Sequence, residues 1–114
     1  MQYTVHNFNG HVILKVVGDI DTYNLSEFKK AAFEVLEEKN KSVLLDMEEV
    51  GFADSSAISA LVACKRLAMK NDGDFGLINV SENFVNILRL ATLHSFFKMY
   101  KGYESLPVVD NPDS

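Results

Sequence analysis

The run Ser42-Val43-Leu44-Leu45-Asp46 constrains this chain most. It is too short for a core helix and lacks the polar alternation of a strand with one wet face, so it predicts a strand buried on both faces. Ala57 to Lys70 then reads as a helix, apolar on most sides through its first half, with Lys65, Arg66 and Lys70 toward its C-terminal end. Such a helix must lie against a sheet, and basic residues suit the negative end of its dipole. A second apolar stretch, Asp74 to Val80, follows. Strand, helix and strand in that order make a βαβ unit, whose strands pair in parallel through a right-handed crossover.

The flanking segments extend this unit. Tyr3 to Phe8 and His11 to Val17 are rich in β-branched and aromatic residues and are separated by Asn9-Gly10. That pair tolerates the positive φ angles of a type I′ turn, so a hairpin is predicted, with Tyr3, Val5, Val12, Leu14 and Val16 on its core face. After Gly18-Asp19-Ile20-Asp21, the residues Leu25, Phe28, Ala32, Val35 and Leu36 recur at helical spacing. Asn24 and Glu27 suggest a capping box at the start of this helix, and Asn40-Lys41 a stop. Gly73 suits a left-handed cap after the next helix. Ser81 can cap a third helix carrying Phe84, Ile87, Leu88 and Ala91, and Phe96 to Tyr100 reads as a short edge strand. The predicted fold class is α/β: a mixed β-sheet with an N-terminal β-hairpin and parallel βαβ units, helices packed on the sheet. Residues 1–104 form a single domain. Residues 105–114, with Pro107, Asp110, Pro112 and Asp113, are expected to form a flexible acidic tail.

Charge and cysteine usage narrow the function. Eleven Lys and Arg against sixteen Asp and Glu leave a net charge of -5, which disfavours nucleic acid as a direct partner. A single cysteine, Cys64, excludes an internal disulfide or a cysteine-based zinc site, and its place in the buried helix suits a small core residue. No apolar stretch approaches the ~18 residues of a membrane span, and no signal-peptide core follows Met1, so a cytoplasmic protein is expected. A monomer is the simplest expectation.

Sites in sheets of this kind form at the carboxyl ends of strands. Two loops qualify: Gly18 to Asp21, and Met47 to Ser56, which delivers Asp54-Ser55-Ser56 to a helix start. These residues suit an N-cap and nothing more, or a seat where free N–H groups and the helix dipole favour an added phosphate. Asp19, Asp21, Asp46 and Asp54 fit loop and strand-end carboxylates held by backbone donors better than a magnesium site. His6, His11 and His94 show no metal-ligand spacing and read as surface or edge residues. Phe52 suits either a partner contact or core packing. No Gly-x-Ser-x-Gly elbow or phosphate-binding Gly-x-x-x-x-Gly-Lys loop occurs, so no catalytic activity, cofactor or metal is indicated.

The run Val43 to Ile58, with Asp54-Ser55-Ser56-Ala57-Ile58 at its end, resembles the signature of STAS domains, specifically bacterial anti-sigma factor antagonists. Gly18-Asp19-Ile20-Asp21 is similar to a turn of that family, and Leu93 to Phe97 to its closing segment, with Thr92 where glycine is usual. The resemblance spans about residues 3 to 104. It implies a partner-switching protein that binds an anti-sigma factor with serine kinase activity. Ser55 would be the phosphoacceptor, and a PP2C-type phosphatase would reverse the modification. The implied partner-binding residues are Asp19, Asp21, Asp54, Ser55, Ser56, Ala57 and Ser59; Ala57 stands where the family usually has glycine. An unphosphorylated STAS scaffold subunit of a larger regulatory assembly is the alternative. A phosphotransfer receiver fits less well, because the first strand ends in Asn7-Phe8-Asn9-Gly10 rather than in paired acids.

Overall fold

A computed structural model describes residues 1–109. Its elements are β1 (Gln2–Phe8), β2 (His11–Val17), α1 (Leu25–Leu36), β3 (Ser42–Asp46), α2 (Ser55–Lys70), β4 (Asp74–Ile78), α3 (Glu82–Leu90) and β5 (Lys98–Tyr100), followed by a 3-10 turn over Tyr103–Ser105. The strands lie in the sheet in chain order. β1 is antiparallel to β2 and every other pair is parallel. This is the predicted mixed α/β sheet with its N-terminal hairpin. Asn9 and Gly10 both take positive φ, 52° and 85°, as a type I′ turn requires.

Alternation of side chains along the strands divides the core in two. Val12, Leu14, Val16, Val43, Leu45, Phe75 and Leu77 face all three helices and pack with Phe28, Leu61, Cys64, Phe84 and Leu88. Burial pushes the Cys64 thiol up to about 12, consistent with a small core residue. On the opposite face Ile13, Leu44 and Ile78 pack with Leu106, Tyr100 and Tyr103. Thus β3 is buried on both faces, by helices on one side and by the chain after β5 on the other.

That second cover corrects the expected tail boundary. Residues 105–109 are docked: Leu106 is buried, the Val109 amide donates to the Asn9 carbonyl (2.7 Å), and His11 Nε2 lies 2.8 Å from the Pro107 carbonyl. A carbonyl can only accept, so Nε2 donates here; Nδ1 lies 2.6 Å from Ser42 Oγ. His11 is therefore a buried partner of this strap rather than a surface residue. Asp110, Pro112 and Asp113 lie outside the described residues.

Four local expectations change. Tyr3 and Val5 do face the side of Val16 and Leu14, but they remain 43% and 48% exposed because β1 is an edge strand beyond the helix layer. Helix α1 ends at Leu36, before Asn40, with Lys39 in the left-handed region. Asn24 makes no side-chain cap bond, so the capping box does not form. After α2 it is Asp72, not Gly73, that takes positive φ (62°). The Gly73 and Asp72 amides donate back to the Ala68 and Met69 carbonyls, completing a Schellman ending.

Candidate functional site

The candidate site begins with a helix cap. Asp54 is in extended backbone, and its Oδ1 accepts the Ser56 amide (2.9 Å) and the Ser56 hydroxyl. The Ser56 hydroxyl bond, with those from the Ser56 and Ala57 amides, holds the Asp54 carboxyl below its ordinary range, so it is anionic at neutral pH. Ser55, the first residue of α2, is exposed and its hydroxyl bonds to none of the described residues. Asp54 and Ser56 thus occupy each other, and Ser55 is left facing solvent at the positive end of a 16-residue helix.

The loop after β2 is tied to this cap by main-chain bonds. The Ile20 amide donates to the Phe52 carbonyl (2.8 Å), the Gly18 amide to Glu49 (3.1 Å), and the Asp54 amide to Ile20 (3.4 Å). Ile20 and Ala53 form a parallel bridge that continues the β2–β3 pairing past both strand ends. The loops approach closely at Gly51, where an added Cβ would lie 3.1 Å from Asp19 Oδ1. Thr22 Oγ1 approaches Ser56 Oγ at 3.5 Å. The two strand-end loops picked out in the sequence therefore form one surface.

The acids in that surface have separate tasks. Asp21 Oδ1 accepts the Tyr23 and Asn24 amides (3.0 and 3.1 Å) and so closes the turn ahead of α1. Asn24 instead donates from Nδ2 to the Asp19 carbonyl (3.0 Å), leaving the Asp19 side chain exposed. Ser59, one turn into α2, is exposed and donates to the Ser56 carbonyl (3.0 Å). Ala57 is fully buried in the helix-side core. Its methyl cannot touch a docking protein in this conformation.

Asp46 belongs elsewhere. It is buried at the end of β3, where Oδ1 accepts Asn79 Nδ2 and the Glu48 amide (both 3.0 Å) and Oδ2 accepts the Tyr103 hydroxyl (2.7 Å). Burial alone would raise its carboxyl, but those bonds and the Lys15 charge outweigh it and hold it low. Among the described residues no group of three or more His, Cys, Asp or Glu is placed to hold a metal ion.

Two aromatic side chains stand out on this surface. Tyr23 is 95% exposed and Phe52 54% exposed, one from each joined loop. A tyrosine in the polar turn Asp21-Thr22-Tyr23-Asn24 was the available signal, because nothing in the helical spacing after it needs an aromatic there. Exposed aromatics beside polar groups are what protein-binding surfaces carry. Among the described residues no base is bonded to the Ser55 hydroxyl.

The sequence profile of the STAS domain matches residues 2–106. The chain belongs to the STAS domain family. Among curated STAS relatives, it is 22% identical over 91 residues to the anti-sigma-B factor antagonist of Staphylococcus epidermidis, covering 80% of this chain and 84% of that protein. Its fold is similar to the crystal structure of an anti-sigma factor antagonist from Mycobacterium paratuberculosis, with TM-score 0.80, 21% identity, and 90% and 87% of the two chains covered. It is also similar to the Bacillus cell fate determinant SpoIIAA in its phosphorylated form, with TM-score 0.67, 14% identity, and 90% and 95% covered. Among the described residues of this STAS chain no helix is long and apolar enough to cross a membrane.

Proposed function

We propose that this STAS protein is an anti-sigma factor antagonist of the cytoplasm, controlled by phosphorylation of Ser55. The observation that carries the reading is the exposed Ser55 hydroxyl at the N-terminus of α2, bonded to none of the described residues, with exposed Tyr23 and Phe52 on the two loops joined to that cap. The relatives named anti-sigma factor antagonists, and one structure of such a fold in a phosphorylated form, support it.

In the unmodified state Tyr23, Phe52, Asp19, Ser55 and Ser59 meet the anti-sigma factor, which releases its sigma factor for transcription. Asp21, Asp54 and Ser56 hold the two loops in place. That anti-sigma factor, acting as a serine kinase, transfers the γ-phosphoryl of ATP to Ser55 Oγ, releasing ADP and the hydroxyl proton. A PP2C-type phosphatase then hydrolyses the ester with water. The phosphate brings roughly -1.5 to -2 charges next to the anionic Asp54. The α2 dipole offsets part of this repulsion in the free protein. A docked surface would have to desolvate the whole anionic cluster, and a loss of about 3 kcal/mol weakens binding on the order of a hundredfold.

The test is titration of an anti-sigma factor kinase with the wild type, Ser55→Ala and Ser55→Asp, alongside phosphopeptide mapping of the protein from its own cells. Ser55→Ala should bind constitutively and Ser55→Asp about a hundredfold more weakly. Equal affinities, with Ser55 never modified, would overturn the switch and leave the unphosphorylated scaffold.

A further inference from the structure

We propose that β1 is the docking edge for a second copy of this chain, which pairs with it antiparallel about a two-fold axis through Val5. The sheet has two edges, and they are built differently. β5 is three residues long and begins with exposed Lys98, which is held 3.3 Å from Asp74. Short length and a lysine are devices that stop an edge from pairing. β1 has seven residues, all exposed, with no charge and no proline, and its register runs without a bulge from Gln2↔Val17 to Phe8↔His11.

The turn decides which groups are free. In a two-residue hairpin the residues flanking the turn, here Phe8 and His11, are a hydrogen-bonded pair. Alternation then turns the N–H and C=O groups of Phe8, His6, Thr4 and Gln2 toward β2, and those of Tyr3, Val5 and Asn7 outward. Beyond the strand ladder the described residues offer those outward groups no backbone partner. A two-fold axis at Val5 sets Val5 against Val5 of the second copy and Tyr3 against its Asn7, so outward groups meet outward groups.

Side chains favour the same occupant. Tyr3 and Val5, at 43% and 48% exposed, lie on the helix side of the sheet beside Val16 and Leu14, where the described residues leave them partly uncovered. In the paired arrangement the two Val5 side chains cover each other, flanked by both Tyr3 rings. No like charges come opposite one another, which matters for a chain of net charge -5. A charged strand from another protein would find no ion partner on β1.

A single-edge interface is small and its association weak, so sedimentation equilibrium on the full chain should extend to about 1 mM. A concentration-dependent dimer is expected. Val5→Lys sets two ammonium groups opposite each other and should raise the dissociation constant at least about tenfold. Its unchanged circular dichroism would show the fold intact. Should Val5→Lys unfold, Val5→Cys provides the second readout. In air or oxidised glutathione it should form a disulfide dimer, because directly opposed residues lie within bridging distance. Tyr3→Cys should not, being out of register with its own copy, and Cys64 is buried and does not compete. A wild type that stays monomeric throughout overturns the proposal and leaves the edge to a strand of another protein. A dimer that Val5→Lys leaves intact, or equal cross-linking of the two cysteine variants, overturns it in favour of another surface.

Discussion

Replacing Ala57 with the glycine usual in its family tests whether this position acts on the fold or on the partner. The Ala57 side chain is 0% exposed, in the first turn of α2, within the helix-side core. Removing a buried methyl costs about 0.8 kcal/mol. Glycine in a helix costs up to about 1 kcal/mol more relative to alanine, and less in a first turn. The sum for Ala57→Gly is about 1–2 kcal/mol of lost stability. With a urea dependence of roughly 1–3 kcal/mol per molar, the unfolding midpoint should fall by about 0.3–2 M. Because the methyl does not reach the surface, the affinity for an anti-sigma factor should stay within about twofold of the wild type. Urea titration followed by circular dichroism measures the first quantity, and calorimetric titration the second. An unchanged or raised midpoint would show that the methyl is not packed as described. A tenfold gain in affinity with glycine would show that the methyl obstructs the partner, and would refute the argument from burial.

Two further outcomes follow from the second sheet face. Leu106→Ala should cost about 2–4 kcal/mol, since Leu106 is buried against Ile13, Leu44 and Ile78; a loss within about 0.5 kcal/mol in urea titration would show that the strap is loose. Asp46 and Asp74 also make stability depend on acid. Burial alone would raise the Asp74 carboxyl, but the Lys65 bond, the Phe75 amide and Lys98 hold it low, as their counterparts do for Asp46. A depressed folded-state value stabilises the fold above the unfolded carboxyl's value near 3.9, and that share is lost as pH falls through the folded value. Thermal unfolding at pH 7 and pH 3 should therefore show a smaller acid penalty for Asp46→Asn than for the wild type. An equal penalty would remove Asp46 from the account.

The site was legible in unequal parts. Ser55 at the head of a helix could be read because Asp54-Ser55-Ser56 precedes a continuous apolar pattern, and cap preferences are local. The meeting of the two strand-end loops could be anticipated from the parallel order of β2 and β3. How α1 starts could not: Asn24 is a good capping residue, but its side chain is drawn to the Asp19 carbonyl while Asp21 closes the turn ahead of the helix. The exposure of Tyr23 is not written in its local sequence, because exposure is a property of the assembled surface. Ala57 stood in the motif like a contact residue, and only its packing turns it inward.

Hydrophobic periodicity and the Asn9-Gly10 turn determine the order of elements, the hairpin register and the parallel βαβ core of this chain, because each depends on residues close in sequence. Tertiary structure alone decided what covers the far face of the sheet. Leu106 sits in a short, polar-flanked stretch after β5 with no periodicity to betray it, and it becomes core only because β2, β3 and β4 present Ile13, Leu44 and Ile78 together. His11 is buried for the same reason, its ring closed between Ser42 and the Pro107 carbonyl. Burial is set by residues far apart in the chain that the fold brings into contact, and no local pattern carries that information.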